Sequence, residues 1–203
     1  MPTGPGGLDA NGVWQYGEDD TEALASDLLN LGMGSVSTVV GGLGAPTILQ
    51  VVSATKTVTY SASTATYTDI TGLTASITPN STSSKILVMT DIKVSVRDDN
   101  SQGVFVRLSG GNSANYVGDA SSSRVQAASG YSDRQADFAF SRSAVPISIT
   151  YLDSPATTSS TTYSAQIRSA DGSIAYVNRS YLDVDSTRGI RTASTITLME
   201  VAG

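Results

Sequence analysis

The chain has 203 residues with 18 acidic against 12 basic side chains, a net charge of −6, and neither Cys nor His. The missing Cys excludes disulfides, thiolate nucleophiles and Cys-ligated zinc, and the missing His excludes imidazole bases, Ser-His-Asp triads and the commonest transition-metal ligand. The acidic balance argues against a nucleic-acid partner, which needs a concentrated basic surface, and no stretch approaches the roughly 20 apolar residues that span a bilayer, so neither nucleic-acid binding nor membrane insertion is expected.

The length suits one substantial domain plus an appendage. The opening residues 1–7 carry Pro and Gly where an export signal would carry basic residues and an apolar core, so no signal is expected there. Residues 1–17 are Gly- and Pro-rich yet contain Leu8, Val13, Tyr16 and the only Trp of the chain, Trp14, which a disordered tail rarely carries. Asp19 lies three residues before Glu22, the spacing of a capping box, and predicts a short helix over 21–31 that stops at Gly32. Leu24, Leu28 and Leu31 fall on one stripe of that helix, which is too short to persist unless the stripe is buried against copies of itself or another protein. Gly34, Gly41, Gly42, Gly44 and Pro46 mark a linker. The organisation expected is a head piece over 1–33, a Gly-rich linker over 34–46 and a β domain over 47–203.

Within that domain apolar and polar residues alternate, broken at short intervals by Gly, Asn, Asp and Pro. The clearest strand covers 85–97, with Ile86, Val88, Ile92, Val94 and Val96 on one face and Lys85, Asp91, Lys93, Ser95 and Arg97 largely on the other. Further strands are expected over 48–60 and 66–77 and around Val104 to Leu108, Ala136 to Phe140, Ile147 to Tyr151, Tyr163 to Ile167, Ile174 with Tyr176, and Ile196 with Leu198. The total, roughly nine or ten, suits an antiparallel β-sandwich or jelly roll. Thr78-Pro79-Asn80 and Asp98-Asp99-Asn100 read as turns, Gly110-Gly111-Asn112 supplies left-handed conformations, Asp153-Ser154-Pro155 stops a strand, and Asp171-Gly172 fits a type I′ hairpin. No structural repeat is visible. The fold class is therefore mainly β, with a short N-terminal extended segment and helix.

Several phrases carry a resemblance. They are ILQVVSATKT at 48–57, TDITGLTASITPNSTSSKILV at 68–88, YLDSPATTSSTTY at 151–163, YVNRS at 176–180, STITLMEVAG at 194–203 and the opening LDANGVWQYGEDD at 8–20. Together they resemble virion proteins of tailed bacteriophages, in particular minor tail and tail-fibre proteins of marine and actinobacterial phages with a C-terminal jelly-roll knob. The resemblance implies a trimeric knob displayed on the particle by its N-terminal end, located on the virion at the tail or the capsid and made in the host cytoplasm. The partners it implies are other copies of the chain, other virion proteins through the N-terminal segment, and a host surface polysaccharide or protein. It brings no catalytic motif and no cofactor. A capsid decoration or head-fibre protein anchored by the same segment is the alternative role.

The residues supply candidates for both attachments. Trp14, Tyr16, Leu24, Leu28 and Leu31 form the expected anchoring surface, the alternative being that they fold back on the underside of the knob. Tyr116, Tyr131 and Tyr181, with Arg134 and Arg179 and nearby Ser and Asn, form the mixture that adaptable recognition surfaces use, although the same Tyr residues would equally serve as half-buried strand ends. Arg188 and Arg191 could meet an anionic envelope sugar or stay solvated. The carboxylate pairs Asp98/Asp99, Asp133/Asp137 and Asp183/Asp185 would be the material for glycoside hydrolysis, but neighbours of this kind are commonly turn formers, and no enzyme is expected. Asp183-Val184-Asp185 invites a calcium reading, yet the further oxygen ligands and the turn Gly of such a loop do not follow. Asn80-Ser81-Thr82 and Asn178-Arg179-Ser180 match the glycosylation acceptor pattern, which has no force in a protein made in bacterial cytoplasm.

Overall fold

The computed structural model describes residues 47–96, 102–113, 116–133 and 143–203, with the backbone alone of 7–8 and 14–15. Contacts divide the chain into two units, Met1–Ala45 and Pro46–Gly203. In the first, β1 (Gly7–Leu8) pairs antiparallel with β2 (Trp14–Gln15), setting Leu8 opposite Trp14. The helix expected over 21–31 with Leu24, Leu28 and Leu31, Tyr16, the linker over 34–46, and the strand expected around Ala136 to Phe140 all lie outside the described residues.

The described part of the second unit forms ten strands: β3 (Ile48–Lys56), β4 (Tyr60–Ser63), β5 (Thr68–Ile77), β6 (Lys85–Val96), β7 (Gln102–Ser109), β8 (Ser129–Asp133), β9 (Val145–Asp153), β10 (Thr161–Ser169), β11 (Ile174–Val177) and β12 (Ser194–Val201). They build two antiparallel sheets. One is four-stranded in the order β5-β10-β7-β8; the other is six-stranded, β3-β12-β6-β11-β4 with β9 on the remaining edge of β6. Because β12 pairs with the first half of β6 and β11 with its end, β11 and β12 occupy one strand position broken in two. β3 and β4, which pair with β12 and β11, form a second broken position beside it. Counted by position, the six-stranded sheet runs first, eighth, third, sixth and the other second, seventh, fourth, fifth. That is the jelly-roll order, in which successive strands mostly change sheet.

Alternation places the core. Ile86, Val88, Ile92 and Val94 of β6 and Ile196 and Leu198 of β12 face Leu73 and Ile77 of β5, Tyr163 and Ile167 of β10, and Val104, Val106 and Leu108 of β7, all buried. Each such side chain contributes about 1.5–3 kcal/mol through burial. At one end of the interior two carboxylates stand in register with Ile86, Asp153 on one side and Glu200 on the other, both fully buried. Asp153 accepts hydrogen bonds from Tyr163 Oη at 2.6 Å, Asn112 N at 3.1 Å and Ser154 N at 2.9 Å, tying β9 to the opposite sheet. The turn that delivers Asn112 needs glycine, since Gly111 has φ +51° and a Cβ there would strike Asp153 Oδ2 and sit 2.7 Å from Tyr163 Oη. Glu200 accepts from Gln50 Nε2 at 2.6 Å and Asn80 N at 2.7 Å. Burial pushes the Glu200 pKa up, but these hydrogen bonds outweigh it and hold the group below its ordinary 4.5.

The two broken strand positions are closed by one residue. Asn178, fully buried with φ +63°, follows β11. Its Nδ2 donates to Lys56 O at 2.7 Å and Val58 O at 3.2 Å, the carbonyls left over where β3 gives way to β4. Its Oδ1 accepts from Ser194 Oγ at 2.6 Å, and Ser194 Oγ accepts from Lys93 N at 3.0 Å, so the start of β12 is fastened to β6 through the same side chain. Its main chain bonds Lys93 O and Thr192 N. Asn tolerates the left-handed backbone and supplies both donors and acceptor, which accounts for this residue type here.

Two local expectations are corrected. Ile174 and Tyr176 do not form the apolar face of β11: pairing with Val96 and Val94 turns Ala175 and Val177 inward, leaving Ile174 exposed and Tyr176 on the outer face. A one-residue change of register inverts a strand, and the neighbouring strand decided it. Asp171-Gly172 is not a type I′ hairpin, because only Gly172 has positive φ and the turn carries the chain from β10 in one sheet to β11 in the other.

Asn178→Ala strands buried carbonyls and a buried hydroxyl, and is expected to cost about 3 kcal/mol, lowering the melting temperature by roughly 10 °C in circular dichroism, whereas exposed Thr158→Ala changes it by about 1 °C. Because the folded pKa of Glu200 is depressed, its stabilisation is complete above pH 4.5 and lost as pH falls below it. Glu200→Gln should accordingly flatten the decline of stability measured between pH 5 and pH 3.

Candidate recognition site

Residues 178–193 leave the eighth strand position at Asn178 and return at Ser194, and Arg179 and Tyr181 lie against the outer face of the six-stranded sheet. Ser95 on that face is buried beneath them, donating from Oγ to Arg179 O at 2.8 Å. An antiparallel bridge between Arg179 and Arg191 closes the neck. The excursion exists because the chain abandons the ladder where Asn178 can satisfy the backbone groups it leaves.

The side chains pack in a definite order. The Arg179 guanidinium lies 4.2 Å from the ring centroid of Tyr176, donates to Ser180 O and Tyr181 O at 3.1 and 3.0 Å, and pairs with Asp183 at 3.1 Å. Tyr181 leans on Tyr176 with centroids 6.1 Å apart. Asp183 also pairs with Arg191. The hydrogen bond from Arg191 lowers the Asp183 pKa below its ordinary 3.8, burial opposes this, and the charges of Arg179 and Arg191 lower it further. Beyond this clamp a turn through Ser186 and Gly189 shapes an open crevice of about 320 Å³, lined by Asp183, Val184, Asp185, Ser186, Gly189, Ile190 and Arg191. Its rim offers exposed apolar groups, Val184 and Ile190, beside the exposed charges of Asp185 and Arg188.

The expected recognition residues divide. Arg179 and Tyr181 belong to this cluster. Tyr116 instead stacks on Tyr151, with ring centroids 4.8 Å apart, and Tyr131 on β8 is half-buried against the core. Arg134, Asp98, Asp99 and Asp137 lie outside the described residues, and of Asp133 only the backbone is described. Asp183 and Asp185 share the loop, but Asp183 is committed to two guanidinium groups, as Asp153 and Glu200 are committed to neutral donors. Among the described residues no three His, Cys, Asp or Glu side chains are grouped to hold a metal ion, and no helix is long and apolar enough to cross a membrane.

A second polar cluster escaped the sequence. On the outer face of the four-stranded sheet the Arg107 guanidinium lies 4.2 Å from the Tyr67 centroid and that of Arg168 5.8 Å from it, while Arg107 Nε donates to Gln166, which donates to Asp69 at 2.7 Å. Alternation marks Arg107, Gln166 and Arg168 as outward, but Tyr67 precedes β5 and nothing in its neighbours announces that it reaches them. Burial raises the Tyr67 pKa, partly offset by both Arg charges, and its hydroxyl donates to Gln126 O at 2.7 Å, so the ring is a fixed strut.

No protein-family model matches the chain, and no curated protein matches it.

The depressed pKa of Asp183 means that its ion pairs stabilise the loop above pH 3.8 and are lost as pH falls below it. Asp183→Asn at pH 7 is expected to speed amide hydrogen exchange over 180–191 several-fold while leaving the exchange of β6 and β12 unchanged; equal loop exchange in both proteins would show that the clamp does not order the crevice.

Proposed function

We propose that the chain is a non-enzymatic structural protein of a tailed-phage particle, a tail fibre or minor tail protein. In this reading the N-terminal segment, with Trp14, Tyr16, Leu24, Leu28 and Leu31, anchors a homotrimer to other virion proteins, and the jelly roll meets a host surface polysaccharide or protein. The observation that carries this reading is the excursion 178–193: a loop placed on the outside of a rigid sheet, clamped at its base by Asn178 and Asp183, and ending in an open crevice of mixed apolar and charged character. Binding residues on a loop positioned by a scaffold are the common arrangement for recognition.

Further points support it. The phrases that resemble phage virion proteins overlap β1 to β3, β5, β6 and β9 to β12, and they include Asn178 itself. Jelly rolls recur in viral capsid and lectin domains, an analogy of fold only. Among the described carboxylates, Asp153 is engaged by Tyr163, Glu200 by Gln50 and Asn80, and Asp183 by Arg179 and Arg191. A weak single contact suffices for adhesion, because several copies engaging one surface raise avidity by about 10²–10⁴.

The test is the position and copy number of the chain in purified virions by cryo-electron microscopy, together with adsorption of particles carrying Arg179→Ala and Tyr181→Ala. A few copies at the tail and an adsorption rate at least tenfold lower in the double variant are expected. Hundreds of copies over the head, with adsorption unchanged, would make the chain a capsid decoration protein instead.

A further inference from the structure

The outer face of the four-stranded sheet carries two guanidinium groups that the fold holds in place without an acidic partner. Arg107 of β7 is fixed by the Tyr67 ring, 4.2 Å away, and by the hydrogen bond from its Nε to Gln166 at 2.8 Å. Arg168 of β10 donates to Ser169 O and Ala170 O at 3.1 and 3.3 Å and lies 5.8 Å from the same ring. Tyr67 is itself tied to Gln126 O, so both groups flank an anchored ring. Among the described residues no carboxylate forms an ion pair with either Arg. Asp69, in the row of Arg107, accepts from the Gln166 amide at 2.7 Å, and Asp171 Oδ1 accepts from Ser173 N at 3.1 Å. Ordering a long cationic side chain costs rotamer entropy, and here no ion pair offsets it in a chain of net charge −6.

An apolar shelf lies beside the two charges. Phe105 stands opposite Arg168 in register, two residues before Arg107 on the same face, and its ring covers two glycines. A Cβ on Gly130 would sit 2.7 Å from its Cδ1, and one on Gly103 3.1 Å from its Cζ. Glycine at both positions lets the ring lie down along the sheet, where it stays half-exposed.

We propose that this face is a second binding site and that its ligand is an acidic saccharide, a chain of uronic acids. Charge selects an anion, since guanidinium groups already oriented by the fold bind carboxylate oxygens with little further loss of freedom. Placement selects a polymer over a single ion. Arg107 and Arg168 stand on successive outward rows of the sheet, about 6.8 Å apart along the strands, and so suit successive charges of one chain. Phe105 selects a sugar, because its ring offers flat apolar contact to the C–H side of a pyranose, which a bare anion does not use. Neither the loop over 178–193 nor a place on a virion is needed for this assignment.

The test is isothermal titration of the full chain at pH 7 with tetragalacturonate, with its uncharged methyl ester, and with inorganic phosphate. Arg107→Gln, Arg168→Gln and Phe105→Ala are made singly, the double variant Arg179→Ala/Tyr181→Ala is the control for the loop, and circular dichroism melting verifies folding. The expected result is saturable binding of tetragalacturonate that weakens with added salt and falls about tenfold in each sheet variant, with the loop variant unchanged and the ester silent. Titrations that never saturate, or folded sheet variants that all bind like the wild type, would overturn the assignment. So would phosphate binding as tightly as the oligomer, which would mark an adventitious ion only, or binding lost in the loop variant alone, which would move the ligand to the loop.

Discussion

The structure depends on a break in hydrogen bonding that a single buried side chain repairs. Two adjacent strand positions of the larger sheet stop at the same level, and unpaired main-chain groups in an interior cost about 1–3 kcal/mol each. Asn178 meets them all, with Lys56 and Val58 on one side and Ser194, and through it Lys93, on the other. Asp would lose the donors, Ser would not reach, and a β-branched residue would resist a φ of +63°. What the repair permits is an interruption at the middle of a sheet, where an unbroken ladder would leave no place for a loop. The loop over 178–193 is thus placed by the same atoms that hold the sheet together.

The remaining polar burial follows a similar logic at the sandwich end. Asp153 and Glu200 flank Ile86 on the inner face, where an apolar pair would have packed more simply. Each instead collects hydrogen bonds from a neighbouring turn, Asn112 for Asp153 and Asn80 for Glu200. A carboxylate satisfied by several donors fixes the turns that supply them, and for Glu200 this brings sensitivity to acid. The outer faces divide the other tasks. Cross-strand hydroxyl pairs, Thr74 with Ser164 and Ser76 with Thr162, give the smaller sheet a polar outer face, while on the larger one Val51 of β3 and Leu152 of β9 are exposed.

Much of the fold was legible because alternation is a local property. The strand 85–96 shows its faces in its own letters, and β5, β7, β9, β10 and β12 do so nearly as well. β11 failed because four residues, Ile174, Ala175, Tyr176 and Val177, are apolar on both faces, and only pairing with Val94 and Val96 decides which side is buried. The cluster around Asp183 was half legible. Arg179 and Tyr181 stood out by composition, but Asp183 read as a turn carboxylate and Asn178 as an irrelevant acceptor motif, since the partners that define them, Arg191, Lys56, Val58 and Ser194, are brought there by the fold. Tyr116 and Tyr131 share the same composition signal, and the fold stacks the exposed Tyr116 on Tyr151 and leaves Tyr131 half-buried against the core, arrangements that composition does not distinguish.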